Sequence, residues 1–173
     1  MQELNVRRRP YFFALSALLF LFSLRVVGQL LVFLFKPSFL PPMHEWYSGL
    51  IPYGPLLICQ FAIILLFGKI CIDFAGLGGF FSRANAAFAK NLSRFATVYA
   101  ASMILRYLIQ MTLHPELRWF GSSIPIAFHL VLASFLLLLG NYHHRAVSAE
   151  RIREKLKLST NRKEFLHAQV CIK

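Results

Sequence analysis

Arg25 and Gln29 stand four residues apart in one apolar run, and Arg106 and Gln110 repeat that spacing in another. Positions i and i+4 share a helix face, so each pair would present a guanidinium fork and an amide one turn apart. Such forks grip the oxygens of carboxylates, phosphates and other anionic or carbonyl-bearing head groups. Gln60 and His129, in two further apolar runs, are expected at a similar depth. Arg25, Gln29, Gln60, Arg106, Gln110 and His129 therefore form a candidate ligand-binding layer. The segment HEWYSGLIPYG, residues 44–54, adds His44 and Glu45 as a lid, with Glu45 in reach of either arginine and His44 free to donate to a ligand.

An arginine near the middle of a bilayer costs at least ~2.5 kcal/mol and is expected to face the protein interior beside an anion. Acids near this layer are scarce: Glu45 and Glu116 fall in the flanking connections, and Asp73 lies toward the far end of its run. Three readings are open. The arginines pair with those glutamates as a polar lock, they receive an anionic ligand, or they snorkel toward head groups.

The elements that must position these residues follow from composition. The chain has 173 residues, 57% of them hydrophobic, and a mean hydropathy of +0.57, more apolar surface than a soluble domain can hide. A bilayer crossing needs roughly 20 apolar residues. Stretches at about 11–35, 55–75, 95–113 and 123–142 are expected to supply four crossings. The period-2 alternation of a barrel is missing. The expected fold is an all-α integral membrane protein: a four-helix transmembrane bundle over 1–144 and a basic amphipathic helical tail over 145–173.

Charge orients the bundle. Lys and Arg number 19 against 7 Asp and Glu. The basic residues concentrate at Arg7 to Arg9, at Arg83, Lys90 and Arg94, and in the tail, while the other two connections carry Lys36 and Arg118. This alternation predicts both ends on the cytoplasmic side, and a bacterial inner membrane is the preferred location. The first apolar run is too long for a cleaved signal, so a retained anchor is expected. The tail sets Val147, Ile152 and Leu156 on roughly one face among basic residues, and is expected as a solvated extension of the fourth helix, with docking on anionic lipid or a partner contact as the alternatives. Nothing in its aromatics suggests reading nucleic acid.

The spacing also suggests an internal repeat. WYSGLIP at 46–52 and WFGSSIP at 119–125 share Trp-aromatic-x-x-x-Ile-Pro, and each follows an Arg-x-x-x-Gln and precedes an apolar run. Two tandem parallel hairpins are the implied architecture. The aromatics Trp46, Tyr47, Tyr53, Trp119 and Phe120 would form an interfacial belt.

Catalytic sets are missing from the pattern. A bis-histidine haem needs two facing imidazoles, and only His129 lies well within a run; a quinone is the other cofactor weighed, and none is predicted. No pair of Glu-x-x-His motifs suggests a di-iron bundle and no His-Glu-x-x-His a zinc protease, so no metal site is expected. Cys59, Cys71 and Cys171 are placed too far apart for a disulfide. GSS at 121–123 reads as a helix start, and GLGG at 76–79 as a helix end without the Gly-Lys-Ser/Thr of a phosphate loop. Lys69 and Asp73 form an i,i+4 pair. His143 and His144 are expected as interfacial polar residues. The function expected is a non-catalytic subunit or scaffold with protein partners in a larger membrane assembly. The alternative is a membrane enzyme or binding protein for an anionic lipid or quinone head group.

Overall fold

The computed structural model describes residues 2–42, 46, 52–76, 79–83, 85–113 and 123–171; these form α-helices, one 3-10 turn and no strand. The helices are α1 (Gln2–Phe35), α2 (Tyr53–Ala75), α3 (Ala86–Leu113) and α4 (Ser123–Cys171), with the 3-10 turn at Phe80–Ser82 between α2 and α3.

The helices outrun the apolar stretches that announced them. α1 continues back through Pro10 and the three arginines to Gln2 instead of starting near 11, and α3 starts at Ala86 instead of near 95. Hydropathy marks the apolar part of a helix, whereas its backbone ladder extends through polar residues that water can solvate. The tail continues the fourth helix, as expected: α4 runs 49 residues from its apolar half into the tail, and no Gly or Pro interrupts it after Gly140.

Three helices hold segments long and apolar enough to cross a membrane: Arg8–Phe35, Tyr53–Ala75 and Ile124–Thr160. α3 is not among them. Arg106 and Gln110, with Thr97, Ser102, Tyr99 and Tyr107, dilute its apolar content below that of its neighbours.

Side-chain pairs fix how the helices run. Tyr11 meets Tyr142 at 5.3 Å between ring centroids, and the Arg25 guanidinium stands 5.2 Å from the Phe128 centroid, so α1 is antiparallel to α4. Phe67 stacks on Phe135 at 3.7 Å, and Phe74 meets Tyr142 at 4.6 Å, the same seven-residue step on both helices, so α2 runs parallel to α4. A core of Leu15, Phe67, Ile70, Cys71, Phe74, Phe135, Leu139 and Tyr142 fills the space where α1, α2 and α4 meet.

α3 joins differently. Among the described helices it packs along α4 alone. Small residues allow that approach: Ala89 and Ala96 are fully buried, and a Cβ on Gly140 would stand 2.4 Å from Ser93 Oγ and 3.5 Å from its Cα. A side chain at 140 would force the helices apart, as expected where small residues line a close helix crossing.

The α2–α3 turn is tied at the other end of the bundle. Lys69 Nζ donates to Asp73 at 2.6 Å, and the Phe81 N–H donates to the same carboxylate at 3.2 Å. The expected i,i+4 pair is present, with Lys69 mostly exposed and Asp73 buried. Gly79 lies so close to Asp73 that a Cβ would overlap its carboxyl carbon at 2.2 Å. The glycines thus let the chain turn over Asp73. Tyr142 donates to the Ser82 carbonyl at 3.0 Å and accepts from Arg8 Nε at 3.2 Å. His143, expected at an interface, is instead buried between the Phe88 and Tyr142 rings, while His144 is exposed. The two stand on different faces because adjacent helical positions are about 100° apart.

Candidate functional site

Near the end of α1 that leads toward α2, Arg25 and Gln29 point inward from one face. Gln29 is fully buried and Gln60 of α2 is 4% exposed, and Gln60 Nε2 donates to Gln29 Oε1 at 3.0 Å. This amide bond ties α1 to α2. Arg25, 9% exposed, donates through Nη2 to the Trp46 carbonyl at 3.1 Å and lies against the Phe128 ring of α4. The Trp46 indole donates to the Pro41 carbonyl at 3.0 Å. Its ring covers Gly28 so closely that a Cβ there would stand 3.1 Å from it. The connection after α1 therefore folds back about two turns, bringing a carbonyl to the arginine. Tyr53, packed on Phe33 at 4.4 Å, lies within electrostatic reach of Arg25.

A second group gathers where α3 meets α4. The Tyr99 hydroxyl and His129 Nδ1 are 2.5 Å apart. Arg106 stands two turns beyond Tyr99 on the same face of α3 and is half-buried, as is Gln110 one turn later. His129 thus ties α4 to α3, next in sequence to the Phe128 ring on which Arg25 of α1 lies.

Of the layer expected from spacing, Arg25, Gln29 and Gln60 gather where α1 meets α2, while His129 bonds Tyr99 of α3, and Arg106 and Gln110 stand two and three turns further along that helix. His44, Glu45 and Glu116 lie outside the described residues, as do Tyr47, Trp119 and Phe120 of the expected belt. Three participants escaped the sequence reading. Trp46 is expected in the interfacial belt and the 44–54 segment and not as an arginine partner, Phe128 is an ordinary apolar residue in sequence, and the one signal for Tyr99 is its seven-residue distance from Arg106.

Three buried atoms of the first group, Arg25 Nε, Gln29 Nε2 and Gln60 Oε1, have no hydrogen-bond partner among the described residues. Two can donate and one can accept. A mostly apolar pocket of about 710 Å³ opens beyond the next turn of α1, lined by Val32, Phe33, Lys36 and the Pro37 to Pro42 strand of chain. Among the described residues no three His, Cys, Asp or Glu side chains converge as a metal site. The arrangement can tie helices and hold a polar or anionic group.

Comparison with protein-family models, with curated proteins and with solved structures gives no match.

Proposed function

We propose that this chain is an integral membrane protein that crosses the bilayer four times and serves as a non-catalytic subunit or scaffold of a larger membrane assembly. The observation that carries the reading is the one-sided packing of α3. It rests on α4 alone, yet exposes Phe95, Val98, Leu105, Leu108 and Leu113 while carrying Arg106. A helix with a cation in its span gains most from protein on more than one side, and a partner subunit would supply that second side. The alternation of basic segments supports both ends lying in the cytoplasm of a bacterial inner membrane. Exposed Ile152 and Leu156 among basic residues support contact of the tail with anionic lipid. The shared Arg-x-x-x-Gln and Trp-aromatic-x-x-x-Ile-Pro spacing supports two duplicated hairpins.

The test is purification from native membranes in mild detergent, followed by native mass spectrometry. A partner at fixed stoichiometry is expected, and Leu105→Lys with Leu108→Lys on the exposed α3 face should release it. A monomer in every mild detergent would defeat the reading.

A second reading is favoured by the three unpartnered buried atoms: the Arg, Gln and His layer holds the head group of an anionic lipid or a quinone. Retention of a small molecule by wild type, and its loss from an Arg25→Leu, Arg106→Leu double variant, would select this reading.

A further inference from the structure

Where α1 leaves its apolar run, the chain walls a cavity that neither reading above uses. Val32, Phe33, Leu40, Pro41 and Pro42 give it apolar walls, and Lys36 and Ser38 bring polar side chains, around a volume of about 710 Å³. That is room for one molecule of small-ligand size. The walls are held in place by their own fixings. Proline rings restrict the backbone at 37, 41 and 42, and the Leu40 N–H donates to the Pro37 carbonyl at 3.3 Å. The Trp46 indole donates to the Pro41 carbonyl at 3.0 Å, and the Trp46 carbonyl accepts from the buried Arg25 at 3.1 Å. On the other side, Phe33 leans on Tyr53 at 4.4 Å.

Among the described residues, Lys36 is the one charged side chain in the lining, and its backbone is held where a lysine is costly. Its N–H closes α1 on the Val32 carbonyl at 3.1 Å with a φ of 46°. Glycine adopts this left-handed helix end freely, and a residue with a Cβ does not. Strain of that kind gathers at ligand sites. Here it sets an exposed ammonium at the rim of an apolar cavity. Phe35 and Phe39, both exposed nearby, make the surrounding surface one that acyl chains can meet.

We propose that this cavity binds a long-chain carboxylate, its single acyl chain against the apolar walls and its carboxylate at Lys36 and Ser38. The inference is independent of the subunit and head-group readings. An ammonium and a hydroxyl bring one charge and two kinds of donor, which match a singly charged group with two oxygens. A neutral chain would leave the Lys36 charge unanswered. A phospholipid would have to leave its second chain outside.

The experiment uses the full chain in phosphatidylcholine nanodiscs. Trp46 and Trp119 are its two tryptophans, so Trp119→Phe leaves Trp46, bonded to the cavity wall, as the sole indole fluorophore. Dibromostearate, its methyl ester and a phosphatidylglycerol with brominated chains are titrated as quenchers. The acid should quench Trp46 saturably and bind about fivefold tighter than the ester, the upper range for an exposed ion pair. Lys36→Asn removes the charge with a residue that tolerates the same backbone, and should bring the acid down to the ester. Lys36→Arg should keep the preference. Ser38→Phe fills the cavity from its exposed side and should abolish saturable quenching by both, with circular dichroism and size-exclusion chromatography checking each variant. Equal affinity of acid and ester in wild type would overturn the carboxylate. Saturable quenching by the brominated phosphatidylglycerol alone would overturn the single chain. Quenching that never saturates, or that survives Ser38→Phe, would overturn the cavity as a site.

Discussion

The α1–α2 hairpin and the α3–α4 hairpin carry the same Arg-x-x-x-Gln spacing, yet they treat it differently. Arg25 and Gln29 are buried, whereas Arg106 and Gln110 are half-buried. The cause is the number of neighbours. α1 sits against both α2 and α4, while α3 leans on α4 alone. In the first hairpin the glutamine finds Gln60 across the interface. In the second, a cross-helix polar bond is made by Tyr99 and His129, two turns before Arg106. Spacing chooses a helix face, and the surrounding helices decide what that face meets.

The comparison can be broken most forcefully at the α3–α4 crossing. Gly140→Leu should cost about 3 kcal/mol, the upper range for overpacking, and detach α3 while the α1–α2–α4 core persists. Disulfide trapping between cysteines placed in α3 and α4 would read this, and unchanged trapping would show that Ser93 yields. Next in size is the amide tie. Gln60→Leu should destabilise by about 1–2 kcal/mol because Gln29 is left buried without a partner, whereas Gln29→Leu with Gln60→Leu should be near neutral. Unfolding in detergent would show additive losses if the bond were not the relevant feature. Tyr99→Phe should cost less, about 0.6 kcal/mol, a typical cross-helix hydrogen bond in a membrane protein. A loss matching Gln60→Leu would mean the second hairpin relies on its polar bond as heavily as the first. The smallest effect is expected at Arg106→Gln, within about 0.5 kcal/mol, against a larger change for Arg25→Gln, which removes the contacts to the Trp46 carbonyl and Phe128. Equal effects would erase the difference in burial on which the comparison stands.

Much of this was legible in residue types. The apolar runs located the helices, because an apolar stretch of that length has few alternatives to a helix. The Lys69–Asp73 pair was legible because i and i+4 are neighbours on any helix. Gly76 was legible as the start of a helix end, but the close approach of Gly79 to Asp73 was not, since that depends on where the returning chain lies. The candidate layer was recognisable from the cost of polar residues in apolar runs, while the Gln29–Gln60 tie and the Tyr99–His129 bond within it were not.

The sequence by itself determined the helical class, the apolar content of α1, α2 and α4, and the face on which each arginine and glutamine would stand. These are local properties, set by backbone hydrogen bonding and the 3.6-residue period. Only the tertiary structure decided that Trp46 would return to cap Arg25, that Gly140 would admit Ser93, and that His129 would bond Tyr99 of α3. Those outcomes depend on which helices pack together and in what register, and packing joins residues far apart in the chain through shape and distance that no local pattern encodes.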